Sequence, residues 1–265
     1  MRLATAAMGT RFELALAGRS ERQLRAIGEA ALEEIEQCHR RLTRFEPDSL
    51  LSHIHRTAYA QPVRLDADTF ALFQDALAVQ HASGGAFDVA VGRSMDAWLA
   101  GEQQRAASTG PAFTLDPSTF TIQLLRPDVG LDLGAIAKGH ALDLAARVLR
   151  ENDVTCALLH GGTSSVIAIG APPDAEGWRV RLGRSERAHE ILLRDRALSV
   201  SSPAGGDAAA RGHIIDARTG TSVAPTGMVA VSGPGARLAD AWSTALVILG
   251  DRPAELGEEW YTYFA

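Results

Sequence analysis

Asp240 and Thr244 stand four residues apart in the segment Ala239-Asp240-Ala241-Trp242-Ser243-Thr244. On a helix that spacing stacks them on one side, while Trp242, Ala245, Leu246 and Leu249 share another. A carboxylate and a hydroxyl in a helix's first turn can ligate a hard cation. Magnesium takes oxygen ligands and leaves its other positions to water or phosphate. The same residues also suit a plain helix start, with Asp240 favoured by the N-terminal dipole and Thr244 in solvent. From the segment alone the plain helix start is the favoured reading.

A second candidate is Leu131-Asp132-Leu133-Gly134-Ala135-Ile136-Ala137-Lys138-Gly139. A strand-like stub runs into small residues and then a helix. Small side chains bare backbone carbonyls and amides, so a diphosphate or a metal can approach, with Lys138 close by. The GxxxxGK[ST] and GxGxxG spacings are both absent, so this is neither a P-loop nor a dinucleotide fingerprint. A tight strand-to-helix joint with Lys138 in water fits equally well.

A third is Gly212-His213-Ile214-Ile215-Asp216-Ala217-Arg218-Thr219-Gly220. Alternation places His213 and Ile215 on one side of a strand, Ile214 and Asp216 on the other, with a turn after them. His213 could accept a proton, and Asp216 is a second candidate base. In Ser83-Gly84-Gly85-Ala86-Phe87-Asp88, two glycines end a helix before a small-aromatic-acid triplet. In Thr43–Ser49, Phe45 could stack on a flat ring or join a core. His160-Gly161-Gly162 has the flavour of an oxyanion hole, but no GxSxG elbow accompanies it.

These residues need elements to position them. Phe12, Leu14 and Leu16 alternate, which predicts a strand over 11–17. Ser20 and Gln23 read as a capping box opening a helix with Leu24, Ile27, Ala31, Ile35, Cys38 and Leu42 on its apolar stripe. Further helices are expected over about 68–83, 138–151 and 238–249. Strands are expected at 157–160, 165–169, 178–182, 190–193, 197–200, 213–216 and 229–232. Strand follows strand in this half, so the sheet should be largely antiparallel or mixed, and the class α+β. Residues 100–118 read as an irregular excursion.

Composition narrows the function classes. The chain has 265 residues and a net charge of −6, which leaves no electrostatic footprint for nucleic acid. A diphosphate would have to be held by local groups or a metal, because the overall field repels anions. Cys38 and Cys156 fall in apolar patterns and suit buried thiols. The N-terminal stretch has no signal-peptide pattern, no cysteine for a lipid and no membrane span, which predicts a cytoplasmic location. The length suits a single domain over 1–265, possibly as two intertwined lobes.

Taken in order, the segments are specific. Met8-Gly9-Thr10, Thr43–Ser49, GGAFD at 84–88, LDLGAIAKG at 131–139, Asp143, HGG at 160–162, HIIDARTG at 213–220 and ADAWSTAL at 239–246 together resemble the FAD:protein FMN transferase (ApbE) family over residues 8–250. That resemblance implies an ApbE-like, T-fold-like arrangement of mixed or antiparallel sheets flanked by helices. It implies that FAD, as substrate, meets Met8, Phe45, Ala86, Phe87, Asp88, Asp132, Lys138 and Ile215. It implies that Mg²⁺ is held by the Ala135 carbonyl and the Asp240, Ser243 and Thr244 side chains. The partner would be an acceptor flavoprotein offering a serine or threonine hydroxyl. The rival readings are an FAD pyrophosphatase and a non-catalytic FAD-binding protein. The chain departs from the family pattern at several places. Phe45 stands where tyrosine is frequent, His55 where asparagine is usual, and Ala90 where threonine is common. Ser202-Pro203 replaces Ser-Gly, Ala217 replaces a proline, and Ser243 stands where some members have a second carboxylate.

Overall fold

The structure is a computed structural model and describes residues 1–18, 20–102, 110–183, 189–204, 213–224 and 227–265. Two β-strands open the chain, β1 (Arg2–Ala7) and β2 (Thr10–Leu16), with Phe12, Leu14 and Leu16 buried as their alternation requires. Met8 and Gly9 link them as a two-residue turn with φ of 51° and 69°. Positive φ at both positions is the hairpin geometry that matches strand twist. Met8 is thereby held at a hairpin tip.

Helix α1 (Glu21–Leu42) buries Leu24, Ala31, Ile35, Cys38 and Leu42 of the predicted stripe and leaves Ile27 half-buried. The capping box is not formed as expected. The Ser20 hydroxyl donates to Gln23 Oε1 (2.8 Å) and makes no bond to the helix backbone. There follow α2 (Leu50–Thr57), β3 (Val63–Arg64), α3 (Ala67–Ala82), a short 3₁₀ turn (Val89–Val91) and α4 (Gly92–Ala100). Then come β4 (Phe113–Asp116), β5 (Thr121–Leu124) and α5 (Ala137–Glu151). Next are β6 (Ala157–Gly161), β7 (Ser165–Ile169), β8 (Trp178–Leu182), β9 (His189–Leu193) and β10 (Ala197–Ser201). The chain closes with β11 (Ile215–Asp216), β12 (Thr221–Ser222), β13 (Val229–Gly233), α6 (Ala236–Leu249) and β14 (Tyr261–Phe264).

The main sheet has seven strands in the order β1-β2-β6-β7-β10-β13-β14. Every pairing in it is antiparallel, which meets the α+β expectation. Its two faces have different partners. Leu159, Ile167, Ile169, Ala197 and Val231 join the large core shared with α1, α3, α5 and α6. Ala168, Leu198 and Ala230, one residue out of phase, pack with Leu182 and Leu193 of the β8–β9 hairpin. Period-two alternation thus sorts side chains between a helical layer and a hairpin cover.

The stretch 100–118 falls partly outside the described residues, and its described portion carries β4. Gly212 also lies outside them. The strand predicted from His213 begins only at Ile215, so the alternation expected there does not apply to His213 and Ile214. Cys38 and Cys156 are free and buried, and burial pushes the Cys38 thiol up to about 12. No helix among the described residues is long and apolar enough to cross a membrane.

Candidate functional site

The site begins where α5 meets α6. Gly139, in the first turn of α5, sits against the backbone of Ala236 and Arg237, and a Cβ there would run into the Ala236 carbonyl oxygen. Only glycine permits that approach. The Gly139 N–H donates to Asp240 Oδ2 at 3.0 Å. From the other end, Asp143 caps α6, accepting from the Ala236 N–H (2.8 Å) and the Arg237 N–H (2.9 Å). Burial lifts the Asp143 carboxyl above its ordinary range, and those two amides oppose the rise. Lys138 is therefore fixed beside Asp240, its Nζ 3.8 Å from Oδ2 and 3.3 Å from the Gly134 carbonyl.

Asp240 is not a surface residue. It is 3% exposed, because α6 is covered by α5 and α3 on one flank and by β10 and β13 on the other. The helix-facing row of the sheet carries Ser165, Ser199 and Ser201. Ser199 donates to Asp240 Oδ1 at 2.9 Å and Ser165 at 3.3 Å. Ser201 pairs with Ser243 (2.8 Å) and with Thr244 (3.1 Å). The Ser243 and Thr244 hydroxyls donate to the Asp240 carbonyl oxygen. Among the described residues no group of three His, Cys, Asp or Glu side chains is placed to hold a metal. The oxygens gathered here belong to one carboxylate, several hydroxyls and nearby carbonyls instead.

Two hollows flank Lys138 and share Asp132 and Gly134 as a common wall. The first, about 370 Å³, is lined by Met8, His39, Arg44, Phe45 and Leu51 among others. The second, about 410 Å³, is lined by Ala86, Phe87, Asp88, Ala135, Ile215, Asp240 and Thr244, with His213 on its rim. The residues expected to meet FAD thus divide between two adjoining cavities. Ser243 and Asp216 line neither. Ser243 is fully buried beneath Ser201. Asp216 is engaged by Arg218 through its backbone (2.9 Å), Nε (3.0 Å) and a terminal nitrogen (2.9 Å). Partial burial disfavours its charged form, but the Arg218 bonds outweigh this and hold the carboxyl below its usual range.

His213 has the opposite character. Its Nδ1 lies 3.2 Å from the Pro203 carbonyl. A carbonyl only accepts, so Nδ1 carries the proton and Nε2 keeps a free lone pair. Burial, helped by the positive charge of Lys138, holds the imidazole below its ordinary value against the Pro203 bond. Burial raises Asp88, which accepts from Gln80 (2.6 Å) and the Ala90 N–H (2.8 Å). Phe45 is no core residue: it is 76% exposed at the edge of the first hollow, with the Arg44 guanidinium 4.9 Å from its ring centroid. Sequence reading missed Arg44, which pairs with Asp132 at 3.0 Å and Asp96 at 2.6 Å. It also missed the serines of β7 and β10. Their signal was available as polar residues at alternate positions of otherwise apolar strands.

The model of the ApbE family matches residues 8–260. This chain belongs to the ApbE family. Among curated relatives, the FAD:protein FMN transferase of Treponema pallidum is 29% identical, over 83% of this chain and 72% of its own length. That of Klebsiella pneumoniae is 22% identical, over 94% of this chain and 78% of its own. Solved ApbE structures share the fold. The ApbE protein of Thermotoga maritima aligns with a TM-score of 0.81 at 25% identity, covering 94% of this chain and 87% of that one. Flavin transferase ApbE from Vibrio cholerae aligns at 0.79 with 20% identity, covering 100% and 96%.

Proposed function

We propose that this protein is an FAD:protein FMN transferase, moving the FMN half of FAD onto a serine or threonine hydroxyl of an acceptor flavoprotein and releasing AMP. One observation carries the reading: segments 131–139, 213–215 and 240–244, far apart in sequence, wall one hollow in a member of the ApbE family. Curated relatives in that family bear this activity as their name.

The donor set suits magnesium. Asp240 is a buried carboxylate that accepts three hydrogen bonds, and its nearest cation among the described residues, Lys138, stays at 3.8 Å, which leaves room for a closer counter-charge. Ala135 and Thr244 line the same hollow as Asp240, the Ser243 and Thr244 hydroxyls bond the Asp240 carbonyl, and backbone carbonyls and hydroxyls are the hard oxygens magnesium takes. Asp240, Thr244 and Ala135 would hold the ion, with Ser243 supporting from beneath. Bound there, Mg²⁺ supplies charge neutralisation for the diphosphate, several kcal/mol by the general scale for such ions.

The chain's own residues supply the rest. Lys138 adds a positive charge between the two hollows. Arg44 covers one face of Phe45 and leaves the other for a flat ring to stack on. The neutral His213 accepts the proton of the acceptor hydroxyl at Nε2 as that oxygen bonds the FMN-side phosphorus. The phosphorus–oxygen bond to the AMP phosphate breaks, and AMP leaves with the electron pair. Asp216, tied to Arg218, has no part in this transfer. Holding the hydroxyl in line with the leaving group is the remaining contribution.

The test is incubation with FAD and Mg²⁺, with and without an acceptor flavin-binding domain. The expected result is AMP together with a covalently fluorescent acceptor. AMP with free FMN alone identifies a hydrolase, and intact FAD identifies a binder.

A further inference from the structure

His55 lies on α2, outside both hollows, yet it reaches the segment that forms their common wall. Its Nε2 lies 2.8 Å from the Leu131 backbone nitrogen. An amide only donates, so Nε2 must be the bare nitrogen and the ring must be neutral. Leu131 is fully buried, so without His55 its N–H would be left unpaired in the interior. The rest of the wall hangs from neighbouring bonds. The Asp132 N–H donates to the Val89 carbonyl (2.7 Å), and the Gly134 N–H to Asp132 Oδ1 (2.8 Å). Residues 132–135 then supply Asp132, Gly134 and Ala135 to the hollows.

Building on the transferase reading above, we propose that His55 is a positioning residue: while neutral it anchors the 131–135 wall through Leu131, and its protonation releases that anchor and lowers turnover. A protonated imidazole has no lone pair at Nε2, and its N–H would face the Leu131 N–H, donor against donor. The charged groups facing His55 come from three directions. Arg93 and Asp96 lie on α4, Arg44 follows α1, and Asp132 lies in the wall itself. Burial, then Arg93 and Arg44, keep the ring below its ordinary value, while Asp96 and Asp132 oppose them. An asparagine at this position would offer an oxygen acceptor at every pH. Histidine makes the anchor conditional.

Two measurements test this on the full-length protein. The first is amide exchange at Leu131 in the unaltered chain as the pH falls, corrected for intrinsic rates. Leu131 should lose protection as His55 charges, while the Asp132 amide, held by Val89, keeps its own. The second is AMP release from FAD and Mg²⁺ against pH. In the unaltered protein the acid limb should steepen to roughly a hundredfold loss per pH unit, two protons acting together through His55 and His213. In His55→Asn it should relax to roughly tenfold per unit, with neutral-pH turnover preserved. Leu131 protection that ignores pH, or superimposable profiles for the two proteins, overturns the proposal. Leu131 exchange that titrates as described in a protein showing no FAD turnover at any pH upholds the anchor and rejects the transferase reading instead.

Discussion

Asp240→Asn should separate folding from chemistry, and its partner variant Asp240→Ala shows why. In the native protein Oδ2 accepts the Gly139 N–H at 3.0 Å, and Oδ1 accepts the hydroxyls of Ser199 and Ser165. Alanine removes every one of these acceptors. The two serines can still bond each other across 3.3 Å, but the buried Gly139 amide is orphaned. An orphaned buried donor costs about 1–3 kcal/mol, and the vacated space adds to it, so Asp240→Ala should lose about 2–4 kcal/mol. Asparagine keeps an oxygen for Gly139 and turns its NH₂ toward Ser165 and Ser199, which can accept. Its stability should stay within about 1 kcal/mol of native. The negative charge is gone in both variants. Loss of a ligand should cost turnover at least the roughly 10- to 100-fold that changes behind the ligands cost. The assays are urea unfolding at pH 7 and AMP release from FAD across a magnesium titration. If Asp240→Asn retains magnesium-dependent turnover within a few fold of native, Asp240 does not serve the ion.

Gly139→Ala should lose about 1–3 kcal/mol or more, because its Cβ meets the backbone of α6 rather than a yielding side chain. Gly28→Ala, whose Cβ meets the movable Leu3 and Leu16 ends, should lose less, and equal losses by urea unfolding would refute the comparison. His140 is buried, and burial with the charge of Arg237 lowers it to about 3. Its folded value is below its unfolded one, so its stabilisation is complete above about pH 6.5 and declines toward pH 3 at up to about 1.4 kcal/mol per unit. His140→Asn should shallow the stability-against-pH slope by about one proton over that window, and an unchanged slope would count against neutral burial. Phe45→Ala should raise KM for FAD several-fold with kcat little changed, since an exposed ring contributes stacking of about 0.5–1.5 kcal/mol; unaltered steady-state kinetics would remove Phe45 from the site.

Sequence alone was sufficient wherever one face of an element meets the core. The stripe of α1 and the alternation of β2 follow from burial on a fixed period, whereas β13 is buried on both faces and was legible only as a short apolar run. The order of short motifs carried the family. Weakly patterned pieces were missed, among them α2, α4 and the small sheet of β3, β4 and β5. In α2 only Leu51 and Ile54 are buried, too few to set a period, although Ser49 does cap it through the Ser52 N–H. Tertiary structure decided which groups the polar residues meet. Asp240 and Thr244 look like the wet side of a helix until α6 is seen enclosed by α5 and the sheet, which turns that side into a lined hollow. Asp216 offered a second candidate base in the sequence, and only the structure shows Arg218 folded onto it. His55 stood out in the sequence only as a departure from the family pattern, and the structure sets its ring at the Leu131 amide, on another segment of the chain. Periodicity reports how much of an element is covered, but which polar groups meet across the cover depends on contacts between segments far apart in sequence.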